Sequence, residues 1–200
     1  MTGKHMLEPV AETAVQLGLA DGADIFTFTT AMDRPHAVER ATKRQLTLTH
    51  SAGILAVTPH MSPEALVACN GPEPRSMGGL VLRSLVKDAH HLGHAITGPK
   101  RGRHMAVVAD NALQISTQPY ANLRHLRHIS RFSTAARLAE TPEYPRIAAL
   151  AADDEFFDYP HGMPAGVDVV SHRGGHDALL VQPLPLLEHI VEAWGRLRAA

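Results

Sequence analysis

One cysteine, one tryptophan, three tyrosines and a formal charge of −1 deprive this chain of the features by which many proteins announce a function. The lone Cys69 excludes an internal disulfide framework and fits a reducing compartment. We read it as a buried, inert thiol in a short helix. Lys and Arg total 19 against 20 Asp and Glu, so no basic footprint points to nucleic acid. With aromatics at 4%, stacking platforms for single strands are scarce. No apolar run approaches the ~20 residues of a membrane span, and Met1 to Glu8 lacks the apolar centre of a signal peptide. These absences predict a cytoplasmic protein with no membrane or nucleic-acid partner. A P-loop, a G-x-G-x-x-G and a G-x-S-x-G elbow are also missing, which weighs against P-loop NTPases, Rossmann dehydrogenases and serine hydrolases.

What is present is a 44% hydrophobic chain of 200 residues, enough for one core, and 14 histidines. Leu7, Val10, Ala14 and Leu17 recur at helical spacing over 7–20. Ile25 to Thr30 reads as a strand, 34–44 as a helix, and Gly53 to Thr58 as a short apolar strand. Ser62-Pro63 opens a helix through Ala68, and 70–79 is a loop. Leu80 to His91 is helical and 97–104 a basic Gly-Pro loop. Met105 to Ala109 is a strand with which 112–116 pairs. A helix follows at 133–139, 147–152 fits helix or strand, Val167 to Val170 and Leu179 to Val181 are strands, and 186–197 is a helix. The sum is an α+β fold, a single domain of mixed sheet with flanking helices over 1–200.

The densest chemistry lies at 172–177, His-Arg-Gly-Gly-His-Asp. Two glycines allow positive φ and close approach to a ligand. Arg173 offers a planar anion clamp, and His176 a metal ligand or proton carrier. The alternative is a polar hairpin turn. His90 and His94, at i and i+4, form half of a zinc site, and His125 with His128 a second pair. Both also read as solvated surface histidines. Lys100 to His104 is a basic loop, closing over an acidic substrate or simply a solvated turn. Asp153-Asp154-Glu155 holds a divalent cation or caps a helix.

Three separated segments carry a resemblance. Leu46 to Ile54, with His50-Ser51-Ala52-Gly53-Ile54, resembles the R-H-G-S-G-I segment of the 3,4-dihydroxy-2-butanone-4-phosphate synthase family. Ser130 to Thr134 is similar to its D-R-x-x-T, and Arg173 to His176 to its R-G-G-H-T-E-A. Asp24-Ile25-Phe26 echoes the end of its acidic loop. The resemblance implies that family's fold and a homodimer with sites at the interface. It implies magnesium held by loop acids, here Asp21 and Asp24, with His176. It also implies Arg173, Arg131, Thr134 and His161 around a small-molecule substrate.

The family's glutamates are absent, and its threonine after R-G-G-H is Asp177, whose carboxylate would repel a phosphate dianion. The expectation is therefore a diverged, lyase- or isomerase-type enzyme of specialised biosynthesis. It would catalyse acid–base enolisation, rearrangement or cyclisation of a small polar or carbonyl substrate. His176, Asp177 and His50 would be catalytic. The alternatives are the riboflavin-pathway lyase itself, which releases formate from ribulose 5-phosphate, a non-catalytic binding protein that keeps the fold, and a zinc-binding histidine cluster.

Overall fold

Four short strands, all parallel, pair in the order of the chain. The computed structural model describes residues 3–27, 34–43, 45–141 and 143–199. The strands are β1 (Leu46–His50), β2 (Ala65–Cys69), β3 (Arg146–Ala151) and β4 (Val167–His172). Before β1 come helices α1 (Lys4–Gln16) and α2 (Pro35–Thr42). Between β2 and β3 run α3 (Met77–Thr97), α4 (Arg101–Thr117), α5 (Pro119–Ile129) and α6 (Thr134–Ala139), and α7 (Ala178–Val181) and α8 (Pro183–Ala199) end the chain.

Helices cover both faces of the sheet, so β2 and β3 read as continuous apolar runs instead of alternating ones. All five β2 residues are fully buried. Val67, Cys69, Ile147 and Ala149 pack with Met6, Val10, Leu187 and Ile190 of α1 and α8. The alternate residues Leu66, Ala68 and Ala148 pack with Val38 of α2, Ile54 and Leu138 on the other face.

The parallel sheet corrects the expected mixed α+β arrangement. The predicted helix at 62–68 is β2, and the predicted strands at 105–109 and 112–116 lie in the single helix α4. Burial on both sides explains the first error: an apolar run of this length has no period to separate strand from helix. Residues 53–58 fall mostly in a 3-10 helix, Ser51–Ala56, and 179–181 in α7. Of the strand expected at 25–30, 25–27 have no regular structure and the rest lies outside the described residues. Cys69 is buried as expected, in a strand, and burial lifts its thiol to about 12. Among the described residues no helix is long and apolar enough to cross a membrane.

Candidate active site

In open parallel sheets, ligands bind outside the carboxyl ends of the strands. Here each of the four strands places functional groups just past that end. Past β1, the chain turns sharply into the 3-10 helix at Ser51, whose φ is +51°. Left-handed backbone on a serine is strained, and strain of this kind lifts a nucleophile out of a strand-to-helix turn. Its surroundings, Thr49-His50-Ser51-Ala52-Gly53, match the elbow pattern except that Thr49 replaces the first glycine. Thr49 is accommodated because its hydroxyl donates to the Val67 carbonyl on β2 (3.2 Å). Across the turn, a Cβ on Gly53 would meet Thr49 Cβ only at 3.6 Å.

Past β4, Gly174 and Gly175 have φ of +114° and +75°, and a Cβ on Gly175 would sit 2.6 Å from Glu155 Oε2. Only glycine fits there. The turn delivers His176, whose Nε2 accepts from Ser51 Oγ at 2.9 Å and whose Nδ1 donates to Asp154 Oδ2 at 3.0 Å. Ser51, His176 and Asp154 thus form a hydrogen-bonded relay, with imidazole and carboxylate side chains at most 3% exposed.

The acidic run past β3 serves the same turn throughout. Asp153 accepts the Gly174 and Gly175 amides, Asp154 the His176 ring, and Glu155 the His176 amide at 3.0 Å. Asp154 also accepts the Phe156 and Phe157 amides. Burial would raise the Asp154 carboxyl, but the His176 charge and these donors outweigh it and hold it below the usual carboxylate range. For His176, burial works against protonation, and the adjacent Asp154 wins, leaving it above its ordinary value.

Past β2 stands Asn70, fully buried at φ +46°. Its Nδ2 donates to the carbonyls of His176 (2.7 Å) and Gly175 (3.3 Å), and its Oδ1 accepts the Ala151 amide (2.8 Å). One side chain therefore pins the ends of β3 and β4 that carry two members of the relay. Asn70→Ala strips the buried Ala151 amide of its acceptor, at about 1–3 kcal/mol, and takes one of two donors from each of the His176 and Gly175 carbonyls, which His50 Nε2 and the Ala178 amide still reach. The variant should lose about 2 kcal/mol in urea unfolding, and kcat should fall by about ten- to a hundredfold as the relay loosens. An unchanged kcat would remove Asn70 from this role.

Beside the relay, Asp177 accepts from Lys87 Nζ (2.8 Å) and His91 Nε2 (3.0 Å), while His50 Nε2 lies 3.6 Å away. His50 Nε2 donates to the His176 carbonyl, and burial lowers its ring to about 4, so it is neutral. The structure thus gathers His176, His50 and Asp177, three of the residues selected from sequence. Their ligand atoms lie within 4.8 Å of one another, the one such grouping of histidines and acids among the described residues. Asp21 and Asp24 are exposed on the rim of the same cavity. Arg173, Arg131 and His161 are exposed, and Thr134 is buried with its hydroxyl on the Pro72 carbonyl; none of the four borders the cavity.

That cavity, of ≈ 960 Å³, opens at Ser51, His176 and Asp177 and reaches Phe26, Ile115, Leu126, Phe156 and Trp194. Two relay members, Ser51 and Asp154, were missed from sequence. The serine was visible as His50-Ser51-Ala52-Gly53 after the alternating run Leu46-Thr47-Leu48-Thr49, and Asp154 as an acid following β3.

No protein-family model and no curated protein matches the sequence. Among solved structures, a hydrolase from Pseudomonas aeruginosa PA01 superimposes with a TM-score of 0.64 at 15% identity, covering 97% of this chain and 86% of that one. Esterase RhEst1 from Rhodococcus sp. ECU1013 superimposes at 0.52 with 19% identity, covering 78% and 66%. The fold is that of the α/β hydrolases. The order Ser51, Asp154, His176 along the chain is the order in which α/β hydrolases present their triads.

This overturns the resemblance to 3,4-dihydroxy-2-butanone-4-phosphate synthase and the fold taken from it. The lyase or isomerase reading, the riboflavin-pathway alternative and the non-catalytic alternative all rested on that fold and fall with it. The physical reason is plain. The H-S-A-G-I and R-G-G-H blocks are short turns at strand ends, and turns built from Gly, Ser and His recur on unrelated folds.

Proposed function

We propose that this chain is a serine hydrolase that cleaves carboxylic esters through a covalent acyl-enzyme. The observation that carries the reading is the continuous relay Ser51 Oγ to His176 to Asp154, at 2.9 and 3.0 Å. In the first half-reaction Ser51 Oγ attacks the ester carbonyl carbon while His176 Nε2 takes its proton. The oxyanion that forms is met by the backbone N–H of Ala52, one of the first amides of the 3-10 helix, which have no partner inside it. His176 then protonates the departing alcohol, leaving the acyl group on Ser51. Water, deprotonated by His176, attacks that carbonyl; the acyl–Oγ bond breaks, His176 returns the proton to Ser51 Oγ, and the acid leaves. Asp154 stays ionised and fixes the imidazole tautomer. The apolar walls Phe26, Ile115, Leu126 and Phe156 suit a bulky, uncharged small-molecule ester.

The direct test is a fluorophosphonate probe followed by peptide mass spectrometry, together with a panel of p-nitrophenyl esters of increasing acyl length. A phosphonyl adduct on Ser51 and ester turnover are expected; an unlabelled Ser51 sinks the proposal.

The electrostatics adds a pH prediction. His176 works as a base only when neutral, and although burial opposes its charge, the adjacent Asp154 makes the imidazole hold its proton more tightly than usual. With ester as substrate, kcat/KM should rise with pH around a midpoint above about 6.5, the ordinary imidazole value. In Asp154→Asn, burial is left without its main opponent, so the midpoint should drop while kcat collapses. A wild-type midpoint well below 6.5 would contradict this arrangement.

A further inference from the structure

A surface helix ordinarily shows its charges to water and buries its apolar stripe. Helix α3 reverses this. Its three charged residues all turn to the body of the protein: Arg83 donates to Asp158 (3.0 Å), Lys87 to Asp177 (2.8 Å), and Asp88 accepts from Asn111 of α4 (2.8 Å). The exposed face of α3 carries no Lys, Arg, Asp or Glu. There Leu82, Leu85, Ala89, Leu92 and Ile96 follow one another at steps of three, four, three and four, the 3.5-residue repeat of a coiled-coil seam. With Val81 and Val86 at its margins, the stripe spans about 140° of the helix circumference. We propose that this face is covered by a second copy of the chain, the two α3 helices lying antiparallel across a two-fold axis at Ala89.

The area fits that occupant. The six Val, Leu and Ile residues of the face are 43–64% exposed. At on the order of 100 Å² each they bring about 600 Å² per copy, so a symmetric pair buries about 1,200 Å², where specific interfaces begin.

The pattern fits it as well. A two-fold contact must be self-complementary. With the axis at Ala89, Leu85 meets Leu92 of the partner subunit and Leu82 meets Ile96 of the partner subunit, so large side chains face large ones. The small Ala89 at the centre, with Gly93 beside it, lets the backbones close. A lipid surface suits the face less well. Helices that lie in a membrane interface set Trp or Phe into it and flank them with Lys and Arg. Here the exposed stripe has no aromatic residue, and Arg83 and Lys87 are engaged on the opposite side.

Sedimentation equilibrium of the full chain should show a dimer at micromolar concentration. Leu85→Glu, and separately Leu92→Lys, should each weaken it at least a hundredfold, because each substitution enters the interface twice and buries an unpaired charge. The chain carrying both should regain at least tenfold of that loss, since the carboxylate at 85 then faces the ammonium at 92 across the axis. Far-UV circular dichroism should be unchanged throughout, both positions being exposed. A wild type that stays monomeric, a dimer indifferent to Leu85→Glu, or a double variant no better than the single ones would each overturn the proposal. So would a monomer that sediments with phosphatidylcholine vesicles, which would assign the face to lipid.

Discussion

Ser51→Ala should reduce kcat on an ester by on the order of 10^4- to 10^6-fold while the protein stays folded. The hydroxyl makes its one hydrogen bond to His176, so its removal opens no hole in the core and leaves the imidazole held by Asp154. The residual rate would come from the Ala52 amide and from binding alone. Asp154→Asn should cost on the order of 10^4-fold, because the imidazole loses the tautomer it needs.

The strained backbone supplies an internal control. A serine or alanine at φ +51° carries strain of about 1–3 kcal/mol that glycine escapes. Ser51→Gly should therefore be as inactive as Ser51→Ala yet unfold at higher urea. Kinetics and urea midpoints on the two variants check both halves. If Ser51→Ala kept a tenth of wild-type activity, the nucleophile would have to be sought elsewhere.

The second large effect belongs to Lys87. Its ammonium meets Asp177 at 2.8 Å, with side chains 11% and 4% exposed, and the carboxylate has His91 as its other close donor. Removing one member of a buried pair strands the other, and Lys87→Met should cost about 3–5 kcal/mol. Adding Asp177→Asn to it should recover part of that loss, since no buried charge then remains unpaired.

Acid provides an independent check. Burial would raise the Asp177 carboxyl, but Lys87 above all, then His91, hold it well below the usual range. A depressed folded value means that Asp177 stabilises the protein above about 3.9, its unfolded value, and that the gain drains away as pH falls towards the folded one. In Lys87→Met the carboxylate loses its main partner, so the variant's deficit should shrink in acid. Urea midpoints at pH 7 and pH 4 measure this, and a deficit that stays constant would refute the pairing account.

How much of this was readable from the residues alone follows from the physics of each segment. Helices with one wet face announce themselves: Leu7, Val10 and Ala14 marked α1, and the helix expected at 133–139 is α6, capped by the Ser133 hydroxyl, which takes the Ala136 amide. Strands buried on both faces do not, which is why β2 passed for a helix and the sheet for a mixed one. The Gly-Gly turn at 174–175 was legible because only glycine tolerates that backbone, and so His176 was found. Ser51 escapes the elbow pattern in one dimension because Thr49 stands where its first glycine would be, a departure the structure absorbs with one hydrogen bond. Asp154 could not be chosen from Asp153-Asp154-Glu155 in one dimension. All three acids bind the same turn, and only the fold shows which one meets the ring.

The parallel sheet adds its strands in the order in which the ribosome delivers them. During synthesis Ser51 emerges first, Asp154 just over a hundred residues later, and His176 on the last turn after β4. A nascent chain lacking β4 holds a bent serine with nothing to deprotonate it. Catalytic competence therefore arrives in a single step, when the final strand docks and Asn70 closes on the His176 carbonyl. Recovery of activity on refolding would thus clock the closing of Asn70 on the β3–β4 end, a non-local contact between residues 106 apart in the chain, and not the collapse of the helices.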